Sequence, residues 1–388
     1  MKDFIYLDNS ATTRICDEAL KKYNEISSSH FGNPSSLHDK GVDAEKEINL
    51  ARKIILDSIN AENCNLFFTS SGTEANNLAI LGRAFAKERF KNGAKIITTK
   101  GEHASVNKPL EMLKNLGYKI AYIDTRDGVI DLEQLKSELT QDTILVTVMM
   151  VNNETGAVYN IPAVKRAIIE KNSSALLHVD ATQGYMKIPF IKAAIGADMI
   201  TLSAHKIEGP KGVGALVVDN SVIKSRDLSP IMLGGGQENG YRSGTENVPG
   251  ICAFGEAVRV YSENLNERIT QIANLREYLV KELTDKLPEI SLTNPKYHAP
   301  HILNITLPTI KSETVLHFLS ARGIYVSSGS ACSSNSHHRE SALVAYGRSE
   351  KEADCSVRIS LSHRNTKGDI DALVSALGEA VKQLARMR

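Results

Sequence analysis

The sequence has few cysteines and almost no net charge. Its five cysteines are scattered along 388 residues, and none of them shows the CxxC spacing typical of a structural zinc site. Their odd number argues against a disulfide framework, so we expect reduced thiols, a cytoplasmic protein and no metal site. The formal net charge of +1 gives no reason to expect direct nucleic-acid binding.

Long apolar segments are also missing. The longest, residues 144–151, is far too short to span a bilayer. The N-terminus passes from Met1-Lys2-Asp3 straight into a strand-like pattern, with no signal-peptide pattern before it. We therefore expect a soluble intracellular protein without direct membrane contact.

The length of the chain exceeds the size at which a single core keeps growing, which favours two domains. Apolar, strand-like segments alternate with helical patterns in the first part of the chain, and this alternation predicts a mostly parallel sheet covered on both faces. The C-terminal part predicts a smaller α+β domain. The expected strands of the sheet are 66–68, 95–99, 118–123, 144–151, 175–179, 197–202 and 215–218.

The expected division has three parts. Residues 1–15 form an N-terminal arm that packs with the small-domain region. Residues 16–255 form the large domain. Residues 256–388 form the small domain, and the segment 248–287 is mainly helical and connects the two.

Lys206 directly follows the predicted strand 197–202 and precedes a glycine-rich turn. A lysine held there is partly desolvated, which lowers its pKa and favours the neutral amine that Schiff-base chemistry requires. A lone lysine in such a loop would more simply be a surface residue. Asp180 decides between these interpretations because it ends another predicted strand, 175–179, and strand ends of open α/β sheets bind ligands.

Lys206 and Asp180 are the two polar groups that pyridoxal phosphate (PLP) needs. The lysine forms an imine with the cofactor, and the aspartate pairs with the protonated ring nitrogen. Taken alone, Asp180 is also a plausible helix N-cap.

Eight short motifs, in order along the whole chain, resemble those of the NifS/IscS-type cysteine desulfurases of the class V aminotransferase family. Each motif is weak alone, but eight in register are specific. The resemblance implies PLP fold type I, with a large domain built on a mostly parallel sheet of the seven-stranded type and a smaller α+β domain. The motifs are YLDNSATT (6–13), FGNP (31–34), TSSGTE (69–74), NNETG (152–156), HVDATQ (178–183), SAHK (203–206), RSGT (242–245) and SSGSAC (327–332).

The resemblance assigns the cofactor phosphate to Gly72 and Thr73, with further donors from Ser203 and His205. The turn before a helix offers free N–H groups and the positive end of the helix dipole, which suits an anion. A simple helix cap at this turn would use the same geometry. Thr245 matches a position that reaches the phosphate of the neighbouring subunit, which implies a homodimer.

Other assignments also follow from the resemblance. His103 stacks on the pyridine ring and assists proton transfers, Asn153 approaches the ring hydroxyl or the substrate, and Gln183 approaches the phenolic oxygen. Arg358 forms a bidentate pair with the substrate carboxylate, for which a planar guanidinium is well suited. Asn33 is the remaining substrate-binding residue. Taken alone, His103 would be an ordinary core or loop histidine, and Arg358 a surface strand arginine.

Cys332 distinguishes this chain from other fold type I enzymes. It lies in a segment, residues 327–341, that is rich in small and polar residues, a composition typical of an exposed loop. A mobile thiol can attack a sulfur atom in the active site and then carry a persulfide away, which a buried cysteine cannot do. By resemblance, Lys206, Cys332 and His103 are the catalytic residues.

The expected reaction converts L-cysteine to L-alanine and transfers the sulfur, as a Cys332 persulfide, to an acceptor protein. The acceptor is either an iron–sulfur cluster scaffold or a tRNA-thiolating enzyme, and the N-terminal third is similar to the tRNA-thiolation branch. A selenocysteine lyase, or another PLP-dependent lyase or aminotransferase of the same fold, is the alternative. A non-catalytic scaffold or sulfur-relay protein is a further alternative.

Overall fold

The computed structural model describes residues 4–91, 93–307, 309–328 and 341–384. Its strands lie in three sheets. In chain order they are β1 Ile5–Tyr6, β2 Cys64–Thr69, β3 Lys95–Thr99, β4 Lys119–Ile123, β5 Thr143–Met149, β6 Leu176–Asp180, β7 Met199–Ser203, β8 Gly214–Asp219, β9 Ser291–Thr293, β10 Ile302–Thr306, β11 Ile324–Tyr325, β12 Ser327–Ser328 and β13 Ser356–Ser360.

The α-helices alternate with these strands in the first part of the chain. They are α1 Asp17–Ser29, α2 Asp39–Asp57, α3 Gly72–Ala84, α4 Ala104–Asn115, α5 Leu132–Glu138, α6 Ile161–Glu170, α7 Lys192–Ile195, α8 Asn220–Lys224, α9 Val248–Glu263, α10 Leu265–Lys286, α11 Ser312–Ser320, α12 Ala342–Tyr346, α13 Glu350–Asp354 and α14 Lys367–Leu384. None of the helices in the described ranges is long and apolar enough to cross a membrane.

Seven strands form one mixed sheet in the order β2-β8-β7-β6-β5-β3-β4. The pairs from β7 to β4 are parallel, whereas β8 is antiparallel to both β2 and β7. The segment between β7 and β8 is too short for a crossover helix, so β8 must return antiparallel. As a result, β2, β3, β5, β6 and β7 all end at the same edge of the sheet. The prediction of a mostly parallel sheet is confirmed.

The second unit contains a four-stranded antiparallel sheet in the order β12-β13-β10-β9. The N-terminal arm joins this unit, because β1 pairs in parallel with β11 and Asp8 forms a parallel bridge with Ser360. The arm then crosses to the large sheet, where the N–H of Thr13 donates to the carbonyl of His205 over 2.9 Å. The arm therefore contacts both units.

The apolar cores follow the two units. One core includes buried side chains of α2, α6 and α9, another those of α3 and α4, and both include strands of the large sheet. A separate core contains α10, α11, α14 and the second sheet. Tyr261 of α9 still belongs to the first core, and Asn264 both ends α9 and begins α10. The expected division at residue 255 falls inside α9, and it stays a prediction.

Candidate active site

A cavity of about 390 Å³ lies where the five strands end. Each strand, or the segment that follows it, contributes polar side chains to the wall, and the second sheet contributes an arginine. Such an edge is where ligands bind in open α/β sheets. The predicted site residues that line the cavity are Gly72, Thr73, His103, Asn153, Asp180, Gln183, Ser203, His205, Lys206 and Arg358.

Asp180 is the buried carboxylate of this cavity, with an exposed fraction of 6%. Its Oδ2 accepts a hydrogen bond of 2.8 Å from Nδ2 of Asn76, and its Oδ1 accepts one of 2.9 Å from the backbone N–H of Thr182. The same Asn76 amide donates to Oγ of Ser105. The carboxylate is thus fixed by two donors, and a helix residue that the sequence did not single out supplies one of them.

The amine of Lys206 is held by the N-terminal arm. Its Nζ donates to the carbonyl oxygen of Ser10 over 2.6 Å and to that of Ala11 over 2.9 Å. The side-chain amide of Gln183 donates to the same Ser10 oxygen over 2.9 Å. Lys206 is half-buried in a short 3-10 turn that follows β7, in agreement with the expected place at a strand end.

The first turn of α3 faces the cavity. Ser71 caps this helix by accepting a hydrogen bond from the N–H of Glu74, while the N–H groups of Gly72 and Thr73 begin a helix whose first turn lacks intrahelical acceptors. The turn lies close to β8, since a Cβ on Gly214 would come within 2.4 Å of the carbonyl carbon of Ser71. The geometry is that of an anion site.

Both histidines of the cavity are neutral near pH 7. Burial lowers the pKa of His103, and burial together with the nearby Lys206 and Lys211 charges lowers the pKa of His205 to about 4. The N–H of Ser105 donates to Nδ1 of His103 over 3.1 Å, which assigns the ring proton of His103 to Nε2. A neutral ring of this kind can donate or accept a proton during a reaction.

Arg358 reaches the cavity from β13 of the second sheet. Its Nη1 donates to the carbonyl of Asn153 over 3.0 Å, and its Nη2 pairs with Oδ1 of Asp8 over 3.0 Å. The guanidinium is buried, and its Nε has no partner among the described residues. A buried guanidinium with a spare donor can bind an added carboxylate.

Glu102 is a further cavity residue that the sequence did not single out. Its Oε1 accepts hydrogen bonds from Oγ1 of Thr99 over 2.6 Å and from the N–H of Met149 over 3.0 Å. Burial raises its pKa to about 8, so this carboxyl is mostly protonated at neutral pH. In the sequence, only its position directly before His103 could have indicated that Glu102 belongs to the site. That signal is weak, because the side chain next to a candidate residue normally points away from the site.

Two predicted site residues in the described part of the chain are not among those that line the cavity, and a third lies outside that part. Thr245 and Asn33 are exposed, and the side chain of Asn33 accepts a hydrogen bond from the N–H of Ser35. Cys332 lies outside the described residues, as does most of the predicted loop 327–341. The described residues on either side of the gap, Ser328 and Ser341, do line the cavity. The roles of these three residues stay predictions.

The chemical groups that line the cavity fit those of PLP. A held carboxylate, a lysine amine and a helix N-terminus match the ring nitrogen, the aldehyde and the phosphate of the cofactor. Two further hydroxyls of the wall, Oγ1 of Thr182 and Oγ of Ser10, are buried without a partner in the described part of the chain. Buried polar atoms of this kind are normally satisfied, and a bound polar ligand would satisfy them.

Residues 5–373 match the family model described as aminotransferase class-V. The chain belongs to this family. A cysteine desulfurase IscS of Clostridium botulinum is 37% identical over 391 residues, covering 100% of this chain and 96% of the relative. A second IscS, from Dictyoglomus turgidum, is 36% identical over 99% of this chain and 96% of its own length.

A solved structure of a similar protein agrees with the class-V assignment. A solved NifS-like protein superposes with a TM-score of 0.90 at 34% sequence identity, over 98% of this chain and 99% of the other. The fold is therefore PLP fold type I, as predicted, and the family is PLP-dependent. The sequence resemblance to NifS/IscS-type proteins is confirmed.

Proposed function

We propose that this protein is a PLP-dependent cysteine desulfurase. It converts L-cysteine to L-alanine and passes the sulfur, as a persulfide on Cys332, to an acceptor protein. One observation carries the proposal: Lys206, Asp180 and the N-terminus of α3 line a single cavity together with a buried arginine, Arg358, from the second sheet. The IscS names of relatives that match nearly the whole chain support the same activity.

The residues that would hold PLP come from three strand ends. Asp180 would pair with the ring nitrogen, Gly72 and Thr73 would bind the phosphate together with Ser203, and Lys206 would carry the cofactor. When bound, PLP supplies an electron sink that weakens the bonds at the substrate Cα and, through it, the C–S bond.

The protein's own side chains bind and orient the amino acid. Arg358 binds the substrate carboxylate in a buried environment, where a charge-assisted bidentate pair is strong. Lys206 Nζ takes the proton from Cα. His103, with its neutral ring, moves a proton at the substrate, as its lowered pKa permits.

The sulfur step needs Cys332 as a thiolate. The thiolate attacks the substrate sulfur, an S–S bond forms, the substrate C–S bond breaks, and the electron pair of that bond stays on the carbon skeleton, which takes up protons to become alanine. Cysteine and one thiol therefore give alanine and one persulfide, without an external oxidant. This role of Cys332 rests on its SSGSAC motif.

The proposal extends to the partners. The sulfur acceptor is an iron–sulfur scaffold or a tRNA-thiolating enzyme of the cytoplasm, and the IscS names of the relatives are consistent with the scaffold. The enzyme acts as a homodimer in which Thr245, exposed on the described chain, reaches the phosphate of the neighbouring subunit. Measuring sulfur transfer to a purified iron–sulfur scaffold and to a purified tRNA-thiolating enzyme distinguishes the two candidate acceptors.

The test measures alanine and sulfide released from L-cysteine in the presence of a thiol reductant. Wild type should give equal yields, Cys332→Ala should lose both, and Lys206→Ala should lose turnover even at saturating cysteine. Cys64→Ala is the control, because that half-buried thiol lies outside the cavity. Normal turnover by Cys332→Ala would contradict the persulfide role, and turnover on selenocysteine would then test the lyase alternative.

A further inference from the structure

The turn that follows Lys206 is held in an unusual shape. Glu208 has a left-handed backbone, with φ of 61°, which a residue with a long side chain seldom adopts. Its N–H donates to Oγ1 of Thr13 over 2.8 Å, and its carbonyl accepts from the N–H of Cys16 over 2.9 Å. The Thr13 hydroxyl also donates to the carbonyl of His205 over 2.9 Å. The contacts on both sides of Lys206 therefore fix this turn.

The side chain of Glu208 leads to the second unit. It is only 3% exposed and forms a two-pronged pair with Arg364, from Nε to Oε1 over 3.0 Å and from Nη2 to Oε2 over 2.8 Å. Nδ1 of His363 lies 3.7 Å from the same carboxylate, but burial lowers the pKa of His363 to about 4. Arg364 is therefore the charged partner of Glu208 on this segment near pH 7.

The two residues of this pair lie on the two segments that carry Lys206 and Arg358. Glu208 is in the turn of Lys206, and Arg364 is in the segment that follows β13, the strand of Arg358. We propose that the Glu208–Arg364 ion pair is a positioning device that sets the separation between the Lys206 amine and the Arg358 guanidinium. The inference rests on the proposed function, in which Lys206 acts at the substrate Cα and Arg358 binds the substrate carboxylate.

The separation matters only for ligands that engage both groups. An α-amino acid has its amine and its carboxylate a fixed distance apart, so a shift of Arg358 relative to Lys206 weakens its binding and misplaces its Cα. A simple amine, which has no carboxylate, occupies the Lys206 end of the cavity and makes no ion pair with Arg358. If the ion pair positions Arg358 relative to Lys206, its loss should weaken the binding of amino acids and leave the binding of simple amines unchanged. If the pair only stabilises the fold, its loss should affect both kinds of ligand alike.

The experiment compares two ligands on the holoenzyme. Glu208→Gln removes the charge but keeps the size of the side chain, and Arg364 can then turn toward solvent. The dissociation constants of L-alanine and ethylamine are measured from the absorbance of the bound cofactor. We expect the value for L-alanine to rise about tenfold and that for ethylamine to change by less than about twofold. The KM for L-cysteine should rise more than kcat falls.

Further variants test whether the two residues act as a pair. Arg364→Lys keeps the charge without the planar fork and should give an intermediate loss for L-alanine. Arg364→Gln alone removes the same contact as Glu208→Gln. The double variant Glu208→Gln/Arg364→Gln should therefore bind L-alanine no more weakly than the single variant, Glu208→Gln or Arg364→Gln, that binds it more weakly. Fully additive losses would overturn the pairing.

The control is Glu379→Gln. Glu379 of α14 pairs with Arg322, in the turn after α11, over 3.0 Å, within the second unit and away from the cavity. This variant should bind both ligands like wild type. Equal changes for L-alanine and ethylamine in Glu208→Gln, or a lower melting temperature with unchanged L-alanine binding, would overturn the inference. If wild type itself neither binds L-alanine nor consumes L-cysteine, the proposed function fails instead.

Discussion

The side chains of Asn76 and Asp180 meet in a hydrogen bond of 2.8 Å between the Asn76 amide and Oδ2 of the carboxylate. Asn76 lies one turn into α3, the helix whose first residues form the anion site. One helix therefore contributes to both ends of the cofactor cavity, the end with Asp180 and the end with Gly72 and Thr73.

Replacing Asn76 with Ala should weaken PLP binding by about tenfold or more, because a hydrogen bond to a buried charge contributes about 1.5–3 kcal/mol. Titration of the apoprotein with PLP, followed by absorbance, measures this. The control is Asn77→Ala, which removes only a contact to the carbonyl of Thr73. Unchanged affinity would mean that the Thr182 N–H alone holds Asp180.

Gly72→Ala should impair the anion site while the chain still folds. A Cβ at this position would lie 3.1 Å from Oγ1 of Thr182 and 3.4 Å from Cβ of Ser203, so a hydroxyl must shift slightly. We expect weaker binding of PLP and of inorganic phosphate, with a melting temperature within a few degrees of wild type. By contrast, Gly214→Ala would press on the backbone of Ser71 at 2.4 Å and should destabilise the fold. Equal effects of both variants on stability would contradict this distinction.

Glu102→Gln should change the pH dependence of stability. Burial raises the folded-state pKa of Glu102 from 4.5 to about 8, so the folded protein binds more protons than the unfolded chain between these values. Its contribution to the free energy of unfolding therefore falls as the pH rises through this window. The variant keeps the acceptor for Thr99 and Met149 and avoids the buried charge.

We expect Glu102→Gln to be more stable than wild type by roughly 1 kcal/mol or more at pH 8.5, with a difference that becomes much smaller toward pH 5. Urea unfolding at several pH values measures the difference. Glu289→Gln, at an exposed position, is the control for the loss of one charge. A difference that is the same at pH 5 and pH 8.5 would argue that Glu102 is ionised throughout.

Arg358→Lys should raise the KM for L-cysteine by about tenfold and lower kcat less. Lysine keeps the positive charge but cannot form the planar pair with a carboxylate while also contacting Asp8 and the Asn153 carbonyl. Steady-state kinetics with L-cysteine measure both constants. A fall in kcat at constant KM would instead assign Arg358 to the chemical step.

The strands of the large sheet could be predicted because they are short, almost entirely apolar runs. The expected segment 144–151 corresponds to β5, Thr143–Met149, and the strand before Asp180 corresponds to β6. Since parallel strands end at one edge, the proximity of Lys206 and Asp180 followed. The apolar patterns of the strands did not predict the direction of β8, because that direction depends on the short connection between β7 and β8.

Contacts through the backbone could not be predicted from residue types. The carbonyl of Ser10 accepts from Lys206 across 196 positions of the sequence, and every residue has such a carbonyl. Likewise, Glu208 and Arg364 resemble ordinary loop charges until the fold brings them together across 156 positions. Asn76 was hidden for a related reason, because an asparagine inside a helix carries no distinct pattern.

The arrangement of the N-terminal arm has a consequence for biosynthesis. β1 is made early, but its partner is β11, and Asp8 pairs with Arg358 of β13. The N-terminal arm holds the Lys206 amine. During translation, this arm therefore has no second unit to pack against until nearly all of the chain has emerged from the ribosome. Stable capture of the cofactor should accordingly follow synthesis, and nascent chains halted before residue 356 should not retain it.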